Sequence, residues 1–255
     1  WHRIEGLAFR DTESNLYRNA ERAKIKNLDL LPLPARHKID FNQYLEAWQK
    51  AHGHSAISIS TQRGCPYTCR WCSTAVYGQS YRRRSPAVVA QEIAHVQAHY
   101  LFDTIWFVDD VFTISHKWLC GFQEVLQEKN LRIRFECITR ADRLNEKILE
   151  TLHACGCFRV WIGAESGSQR ILDAMDRRVQ AVQVQDMMRT ARRIGIETGT
   201  FVMLGYPGET EADLAETVRH LRASNPHLFT ITIAYPIKGT FLYETVEDSL
   251  LPGKP

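Results

Sequence analysis

Six short apolar runs, rich in β-branched and aromatic residues, alternate with segments of helical spacing through most of this chain. The apolar runs occupy residues 55–60, 104–110, 133–139, 158–165, 198–205 and 229–236. The helical segments occupy residues 85–100, 115–129, 145–155, 184–194 and 210–224. Several runs are apolar almost throughout, which is typical of parallel strands covered on both faces. The alternation predicts βαβ units and an α/β fold built around a parallel sheet.

Periodicity leaves two architectures open, a doubly wound open sheet and a complete or partial β/α barrel. In both, functional residues gather at the carboxyl ends of the strands. Polar or glycine-rich residues do follow the first five apolar runs: Cys65, Cys69 and Cys72; Asp109 and Asp110; Arg140; Glu165 and Ser166; and the GYPGET stretch at 205–210. We therefore expect one site at the carboxyl edge of the sheet.

The stretch GCPYTCRWC at 64–72 places Cys65, Cys69 and Cys72 within eight residues. Three soft thiolates in one loop suit a zinc ion or an iron–sulfur cluster. Structural zinc needs a fourth ligand. The nearest histidines are His52, His54, His95 and His99, and none lies at the distance in sequence from the cysteines that is typical of a zinc finger. A four-iron cluster held by three cysteines leaves one iron open to another ligand. The alternative is three cysteines that share an exposed loop by coincidence.

The remaining cysteines fall on predicted helices or strands, where buried packing is the expected role. They are Cys120, Cys137, Cys155 and Cys157. Cys155 and Cys157 flank a glycine, which leaves a redox role open as the alternative. An odd total of seven cysteines without a signal-peptide pattern favours metal binding or catalysis over a disulfide framework.

Composition excludes several classes of protein. With 44% hydrophobic and 24% charged residues the chain is an ordinary globular protein, and its net charge of +3 gives no global basic field for nucleic acid. Arg82, Arg83 and Arg84 form a local basic run, interpreted as a solvated turn, with a phosphate-binding patch as the alternative. The longest apolar runs are far shorter than the roughly 20 residues that span a bilayer. We therefore expect a cytoplasmic protein without a membrane span.

The first 50 residues differ from the rest, being polar and built of short elements around LDLLPLPAR at 28–36. Two closely spaced prolines favour an extended path, so this segment is interpreted as an irregular linker across a domain surface. The chain begins at Trp1 and stops at LPGKP, and we expect both ends to lie inside a longer polypeptide. Residues 246–255 are then the start of a C-terminal extension.

The motif CPYTCRWC, with Trp71 just before the last cysteine, resembles the signature of the radical S-adenosylmethionine (radical SAM) enzymes. The resemblance covers residues 55 to about 245 and includes FVDD at 107–110, ITRAD at 138–142, IGAESGS at 162–168, MLGYPGET at 203–210 and AYPIKGT at 234–240. It implies a partial (β/α)6 TIM-like barrel over residues 51–245, with its helices outside. It also implies a [4Fe-4S] cluster that, given one electron by a flavodoxin- or ferredoxin-like donor, cleaves SAM to a 5′-deoxyadenosyl radical.

The resemblance also implies residue roles. Cys65, Cys69 and Cys72 hold the cluster, and Trp71 lies beside the cofactors. Asp109 and Asp110 stand where the family has a glycine-glycine-glutamate-like stretch that receives the methionine amino group through backbone carbonyls and a carboxylate. The backbone role carries over more directly than the side-chain role, and for one of the two the alternative is an aspartate of a surface loop. Glu165 and Ser166 contact the ribose or carboxylate of SAM, and Leu204 and Gly205 contact its adenine. Arg140 pairs with the SAM carboxylate or, alternatively, with Asp142 or Glu136.

Residues 1–50, with GLAFRD at 6–11, resemble the linker that follows an N-terminal cobalamin-binding domain in a subgroup of these enzymes. This implies cobalamin bound by a domain outside the chain, and methyl transfer to an unactivated carbon of a small or natural-product-like molecule. The alternatives are cobalamin-dependent oxidation or cyclisation, an RNA-modifying methylthiotransferase, and a non-catalytic metal-binding module. Nucleic acid is not the expected partner.

Overall fold

The N-terminal segment of the computed structural model carries more regular structure than expected. The structure describes residues 1–73 and 77–250. Strands β1 (Ala8–Arg10) and β2 (Leu16–Arg18) form an antiparallel ribbon, two short 3-10 turns follow, and helix α1 spans Phe41–His52. The prediction of short elements missed α1, although its apolar residues Phe41, Leu45 and Trp48 have helical spacing. The helix runs through the expected linker boundary at residue 50.

The apolar runs form one parallel sheet, confirming the predicted α/β class. Within the described residues, its strands are β3 (Ala56–Ile59), β6 (Thr104–Phe107), β7 (Phe135–Thr139), β8 (Cys157–Glu165), β9 (Glu197–Leu204) and β10 (Leu228–Ile233). Two strands of two residues each, β4 (Gln62–Arg63) and β5 (Arg82–Arg83), lie between β3 and β6 in the chain and outside this sheet. Strands β4 and β5 pair only with each other, antiparallel.

Strand order decides between the two architectures. In the sheet the order is β10-β9-β8-β7-β6-β3, so each strand pairs with the next main strand of the chain. A doubly wound sheet reverses direction at a switch point, and this order never reverses. Strands β3 and β10 lie at opposite edges, so the sheet is a curled, open half-barrel. This confirms the predicted partial (β/α)6 barrel.

Helices follow the parallel strands, and all but the last connect one strand to the next. They are α2 (Pro86–His99), α3 (His116–Glu128), α4 (Glu146–Ala154), α5 (Gln169–Ala174), α6 (Ala181–Ile194), α7 (Glu211–Ser224) and α8 (Phe241–Val246). Ser85 caps α2 by accepting a hydrogen bond from the amide of Val88, ahead of Pro86. Gly195 ends α6 with a φ of 96°. No helix among residues 1–73 and 77–250 is long and apolar enough to cross a membrane.

The core lies between the sheet and the helices. Phe107 on β6 and Phe135 on β7 meet edge to face at 5.0 Å, and Phe122 on α3 packs edge to face against Phe107; all three are fully buried. Each contributes roughly 1.5–3 kcal/mol to the free energy of folding by its burial. This packed core holds the strands in place, and it thereby fixes the positions of the residues that follow their carboxyl ends.

The connector around LDLLPLPAR lies against the first βα unit. The Asp29 carboxylate accepts a hydrogen bond from the Ser85 amide at 2.7 Å. Arg36 pairs with buried Glu92 of α2 at 2.7 Å and donates to the carbonyl of Ser58 on β3 at 2.9 Å. Of the expected extension at 246–255, residues 251–255 lie outside the described residues.

Candidate active site

The cysteine loop, residues 64–73, begins at a glycine whose backbone conformation and close neighbours leave no room for a side chain. Gly64 has a φ of 83°, and a Cβ on it would lie 2.4 Å from the carbonyl oxygen of Ser80. Within the loop, the Cys72 amide donates to the Cys69 carbonyl at 3.1 Å, which forms a turn between two of the three thiols. The conformation of Gly64 and this hydrogen bond together set the path of the backbone through the cysteine loop.

The turn after α5 and the start of α8 hold the loop in place. The Arg70 amide donates to the Met175 carbonyl at 3.1 Å, and the Thr68 hydroxyl donates to Asp176 at 2.6 Å. The Arg70 carbonyl accepts from the Leu242 amide at 2.9 Å. Segments more than 100 residues away in sequence therefore fix the cysteine loop.

One cleft brings together the three cysteines, the carboxyl ends of three strands and one residue of a fourth strand. Its lining is Cys65, Tyr67, Cys69, Trp71, Cys72, Asp110, Val111, Ile138, Thr139, Arg140, Gly163, Glu165, Arg177 and Phe201. Strands β6, β7 and β8 end at this cleft, and β9 contributes Phe201. The single site expected at the carboxyl edge is present, and it includes the cysteines, Trp71, Asp110, Arg140 and Glu165.

The three cysteines are free thiols in this structure. Burial raises the pKa of the Cys65 thiol, and burial together with the neighbouring Cys69 and Cys65 thiols raises the pKa of Cys72 to about 12. Neighbouring thiols act on one another electrostatically only when they are close. A metal centre that binds them as thiolates has to displace these protons, as metal binding to cysteines generally does.

This donor set fits a four-iron cluster. Each cysteine of such a cluster binds a different iron, and iron–sulfur clusters are held by cysteine thiolates. The three thiols at this cleft can bind three of the four irons. The fourth iron is then open to a ligand that binds in the cleft. As for a single metal ion, no group of three His, Cys, Asp or Glu side chains suited to hold one occurs among residues 1–73 and 77–250.

Glu165 gives the cleft a carboxylate at the end of β8 whose side chain is 14% exposed. Its backbone has a φ of 63° beside a register shift in the β8–β9 pairing, an arrangement that turns its side chain at the strand end. The carboxylate lies 3.8 Å from the Arg177 guanidinium. Burial raises the pKa of Glu165, and Arg177 opposes that rise only in part. A cationic ligand would stabilise this carboxylate.

The two aspartates after β6 have different roles. Asp110 lines the cleft beside the cysteines, and burial raises its pKa. Asp109 was also expected to face the cofactor, but its carboxylate points the other way. It accepts from the amides of Thr61 at 2.7 Å and Gln62 at 3.1 Å, and it lies 3.7 Å from Arg83. Its side chain therefore braces the start of the cysteine loop.

Arg140 makes the alternative ion pair rather than a free site for a carboxylate. Its Nε donates to Asp142 at 2.7 Å, and one terminal nitrogen donates to the Arg177 carbonyl at 2.6 Å. The other terminal nitrogen lies 3.6 Å from the Cys69 sulfur. Glu136, the second alternative partner, pairs with Arg159 at 3.2 Å instead.

Three further predicted contacts do not reach the cleft. Ser166 is 1% exposed, its hydroxyl lies 3.2 Å from that of Thr217, and it accepts from the Ser168 amide. It therefore holds the β8–α5 turn against α7. Leu204 and Gly205 end β9 outside the cleft lining, where the Leu204 carbonyl accepts from the Ala234 amide at 2.8 Å.

The basic run at 82–84 is neither a solvated turn nor a phosphate patch. The Arg83 side chain is 4% exposed and lies over Trp118, 3.5 Å from the ring centroid, while donating to the Phe112 carbonyl at 2.7 Å. Arg84 pairs with buried Glu92. Both interpretations were wrong because a carboxylate, backbone carbonyls and an aromatic ring within the fold already contact these side chains.

Sequence reasoning missed Tyr67, Arg177 and Phe201. Arg177 is 5% exposed and donates to the Gly163 carbonyl at 3.0 Å, so it orients the end of β8. The guanidinium of Arg140 lies 4.0 Å from the Tyr67 ring centroid. The signal available for Tyr67 was its place between the first two cysteines, whereas Arg177 lies in a turn with no motif.

Comparison with known proteins agrees with this geometry. The family model described as the radical SAM superfamily matches residues 59–221, more than half of the chain. An uncharacterised methyltransferase of Pyrococcus horikoshii is 30% identical over 97% of this chain and 53% of its own length. The cytidylyl-2-hydroxyethylphosphonate methyltransferase of Streptomyces wedmorensis is 27% identical over 77% of this chain and 38% of its own. The chain thus spans about a third to a half of these relatives.

Solved structures share the fold. The radical SAM methyltransferase TsrM of Kitasatospora setae, solved with tryptophan substrate and a SAM analogue, has a TM-score of 0.76 at 19% identity, covering 96% of this chain and 49% of that one. The cobalamin-dependent SAM radical enzyme OxsB, solved with aqua-cobalamin and SAM, has a TM-score of 0.70 at 18% identity, covering 96% and 35%. Enzymes of the superfamily bind a [4Fe-4S] cluster and SAM. With its family match, half-barrel and three-cysteine cleft, this chain belongs to the radical SAM superfamily.

Proposed function

We propose that the full-length protein is a cobalamin-dependent radical SAM methyltransferase acting on an unactivated carbon of a small molecule. One observation carries the catalytic part of this proposal: Cys65, Cys69 and Cys72 share a cleft with the carboxylates of Asp110 and Glu165. The methyl-transfer part is supported by the names of the relatives, which include two methyltransferases in sequence and one in structure.

In this proposal the three cysteines hold the cluster, and the cluster with SAM supplies radical chemistry when bound. Asp110 and Glu165 bind the cationic ammonium and sulfonium side of SAM, because desolvation raises the pKa of both carboxyl groups and a positive partner stabilises their charged forms. Trp71 and Phe201 exclude water from the cleft, where an apolar wall strengthens electrostatic contacts. Leu204 and Gly205 stand at the β9 end, where a bound adenine is proposed to extend.

Cobalamin enters the proposal through a domain outside this chain. Residues 1–50 are proposed as the linker from that domain, residues 51–245 as the radical SAM core and residues 246–255 as the start of a C-terminal extension. Support comes from the 96% coverage of this chain by the cobalamin-dependent enzyme OxsB. The electron donor is proposed to be a flavodoxin- or ferredoxin-like protein of the cytoplasm, where thiols stay reduced.

The alternatives differ in how well the structure supports them. An RNA-modifying enzyme would use the basic run for phosphate, but Arg83 and Arg84 are engaged inside the fold. A non-catalytic metal-binding module has no need of Asp110 and Glu165 beside the cysteines. Cobalamin-dependent oxidation or cyclisation uses the same cleft and is separated from methylation only by its product.

The test uses full-length protein reconstituted anaerobically with iron and sulfide and then incubated with cobalamin. Bound cobalamin is quantified by absorbance after gel filtration, and a small-molecule extract is then supplied with methyl-deuterated SAM and a reductant. The proposal expects bound cobalamin and a product that carries the deuterated methyl group. Failure to bind cobalamin would remove methyl transfer and leave the radical SAM assignment in place. A product that gains no methyl group but loses hydrogen would indicate oxidation or cyclisation instead.

A further inference from the structure

We propose that Arg140 is a positioning residue that raises the reduction potential of the cluster through an N–H···S contact with Cys69. This inference rests on the proposed function, because it requires a cluster on the three cysteines. Sequence reasoning gave Arg140 to a SAM carboxylate or to an ion pair. The structure places one of its terminal nitrogens 3.6 Å from the Cys69 sulfur, within hydrogen-bonding distance for sulfur.

The guanidinium has little freedom to leave this position. Its Nε donates to Asp142 at 2.7 Å, and its second terminal nitrogen donates to the Arg177 carbonyl at 2.6 Å. Its flat face lies over Tyr67, 4.0 Å from the ring centroid. Contacts on three sides fix the direction in which the remaining nitrogen points. That direction is toward the sulfur of Cys69.

The contact lies in an environment where charge acts strongly. The Arg140 side chain is 3% exposed, so little water screens it from Cys69. Asp142, which balances its charge, is 23% exposed and contacts Nε, whereas a terminal nitrogen contacts the sulfur. The positive field at the sulfur therefore depends on both residues: Arg140 supplies it and Asp142 reduces it.

Reduction of a cluster by one electron adds a negative charge that spreads over its iron and sulfur atoms. A hydrogen bond to a ligand sulfur and a nearby cation both stabilise that charge, and both are among the factors that set cluster potentials. Arg140 provides the two effects through one side chain. Its loss makes the cluster harder to reduce by the low-potential flavodoxin- or ferredoxin-like donor.

The experiment measures the cluster's midpoint potential in full-length protein by redox titration followed by electron paramagnetic resonance. Arg140→Gln is expected to lower the equilibrium constant for one-electron reduction at least tenfold, equivalent to about 59 mV. Asp142→Asn leaves Arg140 in place but removes its balancing charge, and it is expected to move the potential in the opposite direction. A purely structural role for Arg140 predicts no such pair of opposite shifts.

Arg143→Gln is the matched control. Arg143 lies in the same segment and near the same Tyr67 ring, 5.5 Å from its centroid, but it bonds the Tyr67 hydroxyl rather than a cysteine sulfur. Its variant should change the equilibrium constant less than threefold. Iron content is measured for every variant before titration. An unchanged potential in Arg140→Gln with full iron content would overturn the inference.

Asp142→Asn decides the case if Arg140→Gln does not assemble a cluster. A potential that stays unchanged or falls in Asp142→Asn would overturn the inference without any result from Arg140→Gln. Failure of the proposed function would give a different experimental result from failure of this inference. In that case wild-type protein takes up no iron through Cys65, Cys69 and Cys72, whereas failure of this inference leaves the cluster intact and only the shifts absent.

Discussion

Asp109 and Arg83 lie 3.7 Å apart in a buried network that ties the end of β6 to the start of the cysteine loop. The Asp109 carboxylate also accepts from the backbone amides of Thr61 and Gln62. Burial raises the pKa of Asp109, and Arg83 with these amides opposes the rise. Asp109 therefore supports the site from behind, while the adjacent Asp110 faces the cleft.

Replacing Asp109 by Ala should destabilise the fold. Removing one partner of a buried ion pair leaves the other charge uncompensated, at a cost of about 3–5 kcal/mol in the free energy of unfolding. Urea denaturation of the apoprotein measures this value. Asp110→Ala is the neighbouring control, and it should lose less than about 1 kcal/mol because its carboxylate faces the cleft. Equal losses in the two variants would refute the division of roles.

Glu165→Gln should weaken SAM binding without unfolding the protein. In the proposed function the Glu165 carboxylate attracts the positive charge of SAM, and an amide of the same shape does not. We expect the dissociation constant for SAM to rise about tenfold, which corresponds to about 1.4 kcal/mol. Isothermal titration of reconstituted protein gives the value. Glu197→Gln, which removes an exposed partner of Arg159, should leave SAM affinity unchanged.

The cysteines should separate cleanly into two groups when tested one at a time. Alanine at Cys65, Cys69 or Cys72 should abolish stable incorporation of iron and sulfide, because a four-iron cluster needs each of these ligands. Alanine at Cys120, outside the cleft, should retain wild-type iron content. Iron and sulfide analysis after anaerobic reconstitution distinguishes the groups. Full iron content in a Cys69→Ala protein would contradict the assignment of that ligand.

His220 should make stability depend on pH. Burial lowers its pKa below the ordinary value of 6.5, so the folded protein keeps it neutral where the unfolded chain already binds a proton. Stability is therefore lost as pH falls below about 6.5, by up to about 1.4 kcal/mol per pH unit for this one group. His220→Gln should flatten that part of the profile measured by urea denaturation between pH 7.5 and 5. An unchanged slope would show that other groups cause it.

Much of the fold could be predicted because its signals are local. Apolar runs and helical periodicity located the main strands and most helices, and the helix ends at Ser85 and Gly195 carry residue types that commonly mark such ends. Helix α1 was missed because most of its residues are polar, which obscured the helical spacing of its few apolar residues. Of its residues only Leu45 is buried. The choice of barrel over doubly wound sheet depended on strand order, which periodicity does not contain.

The candidate site divides in the same way. The cysteines and the carboxyl-end residues Asp110 and Glu165 could be located from their place after strands. The directions of the Asp109 and Ser166 side chains could not, since each is set by partners more than 45 residues away, Thr61 and Thr217. Arg140 was found by its position, but its partner Cys69 follows only from the three-dimensional packing.

The most direct test of the account is reductive cleavage of SAM by the reconstituted full-length protein. The protein is reduced anaerobically with SAM, and 5′-deoxyadenosine is quantified beside a variant with Cys65, Cys69 and Cys72 all changed to Ala. The account predicts 5′-deoxyadenosine from the native protein and none from the variant. A native protein that binds iron through these cysteines and still leaves SAM intact would contradict it.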